Sequence, residues 1–453
     1  MVEINSLNAL SPLDGRYSEN IKELSGYFSE FSLIKNRIRV EIEYLILLSK
    51  KGIIRKLKED EENILRKIHL EFNLQGAEEV KAIEKITNHD MKAAEYYIKD
   101  KIKSTSLEDL KESIHIGLTT WDINHTCFAL SIKESLESVF FKELEFVRNI
   151  LVELTKKYKS LTMLARTHGQ PAVPTTLGKE FAVFLNRLNK QIDQLKKRKI
   201  STKLNGAVGN YNAHVAAYPN IGWIAFSKEF IESFGLEPNF ITTQIEPYDN
   251  FAEIFHNIIR INNIILNLDK DMWDYISRDY LKQKVKEGEV GSSTMPQKVN
   301  PINFENSEGN LGLANSLLDH LCNKLTVSRL QRDLSDSTVV RNIGIALGYS
   351  IVAYQSTCKG LNKIEVNEQR IKEDLNAHPE VITEAIQTIL RSTGFEKSYE
   401  SLKDFSRGKK LTLQDIHAFI DSLDIPPELK IRLKAITPEN YIGLAEKLVD
   451  MGN

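Results

Sequence analysis

Long segments without glycine or proline constrain the fold of this 453-residue chain more than any other feature of its sequence. Residues 118–168, 248–287 and 313–343 contain neither residue type, over 51, 40 and 31 positions respectively. A sheet needs repeated turns, and turns are rich in glycine and proline. The three segments therefore predict long helices and an all-α fold.

Apolar residues in the second segment recur at steps of three and four, as on one face of a helix. The residues of this face are Phe251, Ile254, Phe255, Ile258, Ile261, Ile265, Leu268 and Met272. One helix over the whole segment would be about 60 Å long. A stripe of that length needs several packing partners, and we expect other subunits among them. Two shorter helices joined by an unmarked turn are the alternative, since typical globular helices run about 8–20 residues.

The chain has almost no net charge. Lysine and arginine total 60, aspartate and glutamate total 62, and the balance is −2 at neutral pH. Such a chain has no broad positive field, so neither nucleic acid nor an anionic membrane is predicted as a partner. An anionic substrate must instead be bound by a few dedicated side chains.

The cysteines Cys127, Cys322 and Cys358 are odd in number and far apart. This pattern matches neither a disulfide scaffold nor a zinc site, and it fits a reducing compartment. The N-terminus lacks the basic and apolar regions of a signal peptide, and no apolar run reaches the ~18 residues of a membrane span. We therefore expect a cytoplasmic protein.

Several short polar segments interrupt the helical pattern, mostly at the ends of the long segments. They are SPLDGRY (11–17), TNHD (87–90), GLTTWD (117–122), ARTHGQPAVPTT (165–176), NGAVGNYNAH (205–214), TTQIEP (242–247), GSSTMPQKVNP (291–301) and QRDLSDSTVVRN (331–342). The ends of bundled helices gather in space, and the loops there carry function. These segments are therefore the candidates for a site.

Two of these segments contain groups suited to acid–base chemistry. His168 could carry a proton near neutral pH, although a lone histidine is more often structural. Ser292 and Ser293 supply hydroxyls, and a glycine before them could let the loop close over a ligand. Lys298 and Asn300 could stabilise negative charge on a carboxylate or an enolate-like intermediate.

The last polar segment contains forked cationic groups. Arg332 and Arg341 could bind phosphate or carboxylate, and a surface ion-pair network with Asp333 and Asp336 is an equal alternative. Ser337 precedes Arg341 by four residues, so the two would share a face of a helix. On a continuous helix Arg332 would point elsewhere, so it must bind another part of the substrate, lie beyond a break, or serve the site of another subunit. Carboxylates and cysteines do not cluster as metal ligands do. We therefore predict acid–base chemistry on an anionic substrate, with no metal and no cofactor.

Several of these polar segments match the sequence pattern of a known protein family. GSSTMPQKVNP resembles the signature of the fumarase/aspartase superfamily. SPLDGRY, TNHD, RTHGQPAVPTTLGKE, KLNGAVGNYNAH, TTQIEP, NPINFENSEGNLGL and SRLQRDLSDSTVVRN resemble the adenylosuccinate lyase family in its longer bacterial form. The resemblance runs in order from about residue 10 to TPENYIG at 437–443 and covers nearly the whole chain.

This resemblance implies an architecture. The family is a homotetramer whose active sites are shared between subunits. It implies an N-terminal helical domain at 1–112, a central long-helix domain at 113–361 and a C-terminal helical domain at 362–453. The central bundles would assemble into the multi-helix core of the tetramer, and the signature loop would lie near 286–301.

It also implies an activity. The family is a carbon–nitrogen lyase of purine biosynthesis. It releases fumarate from adenylosuccinate, giving AMP, and from succinylaminoimidazole-carboxamide ribotide, giving aminoimidazole-carboxamide ribotide. Ser292 matches the general base, His168 the general acid and His89 a histidine that supports the substrate. The other matched positions are Arg16, Tyr17, Asn88, Asp90, Thr119, Thr120, Gln244, Lys298, Asn300, Asn306, Arg332, Ser337 and Arg341.

The chain departs from the family pattern at two positions. Thr120 stands where serine is common and keeps the hydroxyl, and Gln297 stands where close relatives often carry histidine. The alternatives are argininosuccinate lyase, another fumarate-releasing member of the superfamily, or a non-catalytic helical scaffold. The intact set of catalytic candidates argues against a scaffold. Only family precedent separates Ser292 from Ser293.

Overall fold

The computed structural model describes residues 5–284, 288, 294–396, 398–408 and 410–451. Its α-helices are α1 (Ser18–Phe28), α2 (Glu30–Lys50), α3 (Glu59–Leu70), α4 (Leu74–Thr87), α5 (Asp90–Ile102), α6 (Thr120–Ser135), α7 (Phe141–Lys157), α8 (Leu177–Lys196), α9 (Asn212–Ala217), α10 (Trp223–Ser233), α11 (Asp249–Ser277), α12 (Ile302–Leu325), α13 (Ser335–Val340), α14 (Ile343–Asn362), α15 (Glu368–Asn376), α16 (Thr383–Ser392), α17 (Ser398–Ser406), α18 (Leu413–Ser422), α19 (Pro427–Lys434) and α20 (Ala445–Met451).

Short irregular helices and strands complete the described chain. A π-turn, Leu136–Phe140, joins α6 to α7, and 3₁₀ helices cover Glu108–Ser113 and Pro379–Ile382. Strands form three two-stranded sheets, in which β1 (Thr162–Thr167) pairs antiparallel with β2 (Gln170–Thr176), β3 (Ser201–Thr202) pairs parallel with β4 (Glu237–Pro238), and β5 (Leu281–Gln283) pairs antiparallel with β6 (Ile364–Val366). In the part of the chain that the structure describes, no helix is long and apolar enough to cross a membrane.

Helix α11 confirms the predicted apolar face. It runs unbroken for 29 residues, about 44 Å, so the alternative of two shorter helices is wrong. Each of the eight residues of the face is at most 1% exposed. The helix is shorter than its segment because Asp279, just beyond its end, takes a left-handed φ of +61° and the chain then enters β5. Since this face is already covered in the single chain, the expectation that other subunits must cover it is wrong.

The hairpin of β1 and β2 contradicts the prediction that the first long segment is helical throughout. The helical part ends at Lys157, and Thr162–Thr167 continues as a strand. Its partner strand contains the prolines of ARTHGQPAVPTT. The glycine and proline residues that mark the hairpin therefore lie after the first strand, outside the segment from which the helix was predicted.

The chain divides into two compact units. Unit 1 comprises Met1–Glu143, Ile192–Asn262 and Asn310–Ala353, and unit 2 comprises Leu144–Gln191, Asn263–Gly309 and Tyr354–Asn453. The boundaries fall inside α7, α8, α11, α12 and α14. The three domains at 1–112, 113–361 and 362–453 remain a prediction.

Each unit has an apolar core of its own. In unit 1, residues of α2 to α5 such as Ile38, Leu65 and Ala93 have no exposed area. In unit 2, residues such as Ile382 and Ile416 form a core among the C-terminal helices. Burial of these apolar side chains is the main force that folds each unit, at roughly 25 cal/mol per Å² removed from water.

A buried polar cluster joins three helices of unit 2. The hydroxyl of Thr357 on α14 donates to Asp269 Oδ1 on α11 at 2.9 Å, and Ser307 on α12 lies 2.8 Å from the same hydroxyl. All three side chains are essentially without exposed area. Burial raises the pKa of Asp269 well above its usual value, although Ser307 and Thr357 oppose the rise. The folded chain therefore favours the neutral carboxylic acid.

The raised pKa predicts how stability depends on pH. A group that binds its proton more tightly in the folded chain stabilises fully below its unfolded pKa of about 4. That contribution is lost as pH rises through the higher folded pKa. Asp269→Asn, which stays neutral, should be no less stable than wild type at pH 7. Its free energy of unfolding, measured with denaturant from pH 5 to 8, should fall less as pH rises.

Asp274→Asn removes a half-exposed carboxylate from the same helix and serves as the comparison for the loss of one negative charge outside the core. A loss of stability at pH 7 in Asp269→Asn, together with an unaltered pH dependence, would show that Asp269 is ionised.

Candidate active site

A buried ion pair lies at the N-terminus of α6. Lys203 Nζ is 2.8 Å from Asp122 Oδ1, and neither side chain has exposed area. Asp122 Oδ2 accepts the backbone N–H of Thr119 at 2.9 Å, which holds the residue that precedes the helix. Burial lowers the pKa of Lys203 below the ordinary lysine value, against the effect of Asp122. The buried carboxylate of Asp122 thus stabilises the N-terminus of α6, where Thr119 and Thr120 lie.

The same pair organises two further loops. Asp122 accepts the backbone N–H groups of Asn205 and Gly206, each at 3.1 Å. Lys203 Nζ donates to the carbonyl oxygens of Gly206 and Gln244 at 3.0 and 2.9 Å. Three segments that are distant in sequence therefore meet at one buried charge pair, and two of them contain predicted site residues.

Arg332 is held from several sides. Its guanidinium donates to Ser337 Oγ at 2.8 Å and to Gln244 Oε1 at 3.2 Å. It lies over the ring of Trp121, 4.8 Å from the centroid, and its Nε is 3.5 Å from Asp336. Burial raises the pKa of Asp336, while Arg332 opposes the rise. The arginine is therefore fixed in position before any ligand arrives.

The expected geometry of this segment is only partly correct. Helix α13 begins at Ser335, so Arg332 lies before the helix and folds back onto Ser337. A position beyond a break is one of the alternatives predicted for Arg332, and the structure confirms it. Arg341 follows the last residue of α13 and contacts Glu30 and Asp90 instead.

Asp90 links Arg341 to the interior of unit 1. Its Oδ2 lies 2.6 Å from Arg37 Nη2 and 3.3 Å from Arg341 Nη2. Arg37 is almost fully buried and also donates to Asn124 on α6 at 2.8 Å. Burial raises the pKa of Asp90, but Arg37, the Met91 N–H and Arg341 outweigh it, so the pKa lies below its usual value. Asp90 is therefore an ionised anchor.

His89 caps helix α5. Its Nδ1 accepts the backbone N–H of Lys92 at 3.2 Å, which leaves the proton of the neutral ring on Nε2. Asn88 precedes it with a left-handed φ of +50°. This turn exposes the ring of His89 beside Asp90, with Nδ1 3.8 Å from its carboxylate. The cap sets the tautomer that faces solvent.

Arg16 and Tyr17 lie in the turn before α1. The backbone N–H of Tyr17 donates to the carbonyl oxygen of Pro12 at 2.9 Å, and Gly15 N–H donates to Ser11 at 3.0 Å. Arg16 is exposed and Tyr17 half-buried.

His168 lies in unit 2 at the tip of the β1–β2 hairpin. With Gly169 it forms a two-residue turn in which both φ angles are positive, +53° and +75°, as a type I′ turn requires. The tip is exposed. Below it, Arg166 pairs with Asp374 at 2.7 Å, and Tyr280 also donates to that carboxylate. A rigid hairpin thus presents the imidazole to solvent.

The signature segment is only partly described. Ser292 and Ser293 lie outside the described residues. Lys298 is exposed, and its backbone N–H closes a turn onto the Met295 carbonyl at 3.1 Å. Asn300 is half-buried just before α12.

Asn306 is half-buried in the second turn of α12. Among the described residues, no hydrogen bond or ion pair joins His168 to Lys298.

Sequence reasoning missed several polar residues whose partners only the structure shows. Asp122 stands three residues after Thr119, a capping pattern that the sequence displays. Arg37 lies among apolar residues of α2, where a charge signals a buried partner. His115, with a left-handed φ of +61°, lies 2.5 Å from the buried Glu41. The sequence does not indicate that Lys203 is buried, because a lysine in a polar segment usually lies in solvent.

Breaking the buried pair should destabilise the protein strongly. Lys203→Met leaves Asp122 charged and unpaired in the core, which typically costs about 3–5 kcal/mol. We expect a loss of that size in the free energy of unfolding, measured with denaturant. Lys203→Met combined with Asp122→Asn should lose less, because no lone charge remains and the amide oxygen of asparagine can still accept backbone N–H groups.

Lys270→Met breaks an exposed pair with Glu308 and serves as the control, with a far smaller expected loss. Equal losses in Lys203→Met and the control would contradict the role assigned to the buried pair.

The fold is found in solved structures of low sequence identity. A fumarate lyase from Mesorhizobium sp. BNC1 matches with a TM-score of 0.74 at 17% identity, over 95% of this chain and 97% of that one. A β-carboxy-cis,cis-muconate cycloisomerase from Acinetobacter calcoaceticus sp. ADP1 matches with a TM-score of 0.71 at 16% identity and the same coverage. These matches show that the chain shares the overall fold of these two proteins, in agreement with the predicted all-α class.

Sequence comparisons are more specific. A family model described as Lyase matches residues 15–314, and one described as Adenylosuccinate lyase C-terminal matches residues 328–442. The adenylosuccinate lyase of Haemophilus influenzae is 48% identical over 453 residues, 99% of each sequence. That of Dictyostelium discoideum is 50% identical over 456 residues, 98% of each sequence. The chain therefore belongs to the adenylosuccinate lyase family.

Proposed function

We propose that the chain cleaves adenylosuccinate to AMP and fumarate, and succinylaminoimidazole-carboxamide ribotide to aminoimidazole-carboxamide ribotide and fumarate, in purine biosynthesis. The observation that carries this proposal is the 47–50% identity to adenylosuccinate lyases along 98–99% of the chain. The same relatives disfavour argininosuccinate lyase and a non-catalytic scaffold. A cytoplasmic location, predicted from the dispersed cysteines, is part of the proposal.

The proposed chemistry is a β-elimination with two proton transfers. Ser292 takes the proton from the carbon next to a succinyl carboxylate, and that carboxylate accepts the charge as a dianionic aci form. Lys298 and Asn300 would stabilise this charge. The carbon–nitrogen bond then breaks towards nitrogen, which receives a proton from His168. The exposed hairpin tip supports the last role, because His168 is free to reach a substrate.

The anionic groups of the nucleotide need dedicated donors in a chain with a net charge of −2. We propose that Arg332, Ser337 and Arg341 bind these groups, the 5′-phosphate above all, with Arg16 and Tyr17 contributing from the N-terminal turn. The contacts that hold Arg332 support this role, because a preorganised cation loses little freedom on binding. Thr119, Thr120, Gln244 and the Asn88–Asp90 turn would complete the binding surface, together with Asn306 on α12.

We further propose a homotetramer with active sites shared between subunits. The outer face of α12 supports this assembly. Leu313 is 52% exposed there, and Gly309 and Gly312 beside it have open space where a Cβ would lie. A second helix can approach closely over glycines. In this proposal the His168, Ser292 and Gln244 regions of different subunits meet in one site, as the resemblance to the family implies.

The activity can be tested by ultraviolet monitoring of purified protein with adenylosuccinate. We expect turnover of adenylosuccinate and none of argininosuccinate. His168→Ala and Ser292→Ala should each lose most of kcat while staying folded, since a positioned acid or base contributes about 10²–10⁴-fold. Ser293→Ala is the matched control and should keep near-normal turnover.

Normal turnover in Ser292→Ala with loss in Ser293→Ala would identify the other serine as the base. Wild-type protein that ignores adenylosuccinate would refute the activity itself.

Shared sites can be tested by mixing two inactive proteins. His168→Ala and Ser292→Ala, allowed to exchange subunits, should regain part of the activity, because some hybrid sites would contain both native residues. Native mass spectrometry would establish that hybrids formed. A mixture of tagged His168→Ala with untagged His168→Ala is the control and should stay inactive. Proven hybrids without activity would contradict shared sites.

A further inference from the structure

Arg341 is already engaged by carboxylates of its own chain. Its Nη1 lies 2.8 Å from Glu30 Oε2, and its Nη2 lies 3.3 Å from Asp90 Oδ2. Both forked nitrogens that would bind two oxygens of a phosphate or carboxylate therefore have an anionic partner. An incoming anion must compete with at least one of these partners.

The two carboxylates are held very differently. Asp90 is fixed by Arg37 at 2.6 Å, with the arginine 1% exposed, and by the backbone N–H of Met91. Glu30 is the first residue of α2 and its side chain is 43% exposed. Its second carboxylate oxygen, Oε1, lies 3.7 Å from Lys81 Nζ, which is a weaker contact than those of Asp90. Glu30 is therefore the partner that can swing away, while Asp90 stays and keeps Arg341 oriented.

We propose that Glu30 is an internal competitor that occupies Arg341 until an anionic group of the substrate displaces it. The group is one with paired anionic oxygens, such as a phosphate ester or a carboxylate. This inference rests on the proposed function, in which Arg341 binds the nucleotide. Glu30 tunes affinity without touching the reacting atoms.

The expected size of the effect is modest. Ion pairs between exposed side chains contribute little free energy. The need to displace Glu30 should therefore weaken anion binding by only about two- to fivefold. Salt weakens the attraction between exposed charges, and the screening length falls from about 10 Å at 0.1 M ionic strength to about 3 Å at 1 M. The effect should therefore shrink as salt is added.

Glu30→Gln keeps the size of the side chain and removes its charge. We expect the Kd for AMP, measured by calorimetry, to fall about two- to fivefold, and kcat/KM for adenylosuccinate to rise by a similar factor. Parallel titrations with AMP and with fumarate distinguish phosphate from carboxylate as the displacing group. A gain confined to one of them assigns Arg341 to that group.

Two further variants separate a direct contact from a general charge effect. Glu43→Gln is the same substitution in α2, where Glu43 pairs with Arg66 at 2.8 Å, and it should leave the Kd for AMP unchanged. In an Arg341→Met background, Glu30→Gln should also have no effect. A gain that persists without Arg341, or an equal gain in Glu43→Gln, would overturn the proposal.

Weaker binding of AMP by Glu30→Gln would also overturn it, because Glu30 would then support Arg341. The binding assay does not depend on turnover. If wild-type protein fails to cleave adenylosuccinate, the proposed function fails, while titration of the same variants with inorganic phosphate still decides whether Glu30 competes at Arg341.

Discussion

The buried pair of Asp122 and Lys203 is the interaction on which the candidate site of unit 1 depends. Neither side chain reaches solvent, and the rest of their hydrogen-bonding capacity goes to backbone groups near Thr119, Gly206 and Gln244. An unpaired charge at that depth would cost several kcal/mol. The two residues therefore stay together, and the segments that contact them take one arrangement. A pair that would add little stability by itself thus sets the geometry of binding groups.

The cationic groups of the site fall into two kinds. Arg332 is held by an aromatic ring and neutral partners as well as by Asp336, so a ligand can bind it with little rearrangement. Arg341 is held by carboxylates, one of them exposed, so a ligand must exchange with an internal anion. In a chain without a broad positive field, the first kind provides a fixed point of attachment. The second kind makes affinity depend on local charge and on salt.

Much of the fold could be predicted from local patterns. The apolar face of α11 followed from steps of three and four, because helical geometry relates residues within one turn. The same reasoning left three arrangements open for Arg332, and the structure shows the one with a break before Ser335. It failed at Thr162–Thr167, since a strand is stabilised by its partner and that partner follows it in the chain. Local patterns therefore predict a single helix well, but they predict poorly which distant segments it or a strand will contact.

The sequence by itself determined the fold class, the family and the set of polar segments from which the site is drawn. Only the tertiary structure decided which of these segments meet. Arg37 donates to Asn124, which is 87 residues away in sequence, and Lys203 pairs with Asp122 at a similar separation in sequence. No local sequence pattern identifies either partner. The reason is physical. Periodicity records the geometry of one helix turn, whereas the partner of a buried charge is chosen by how distant elements pack.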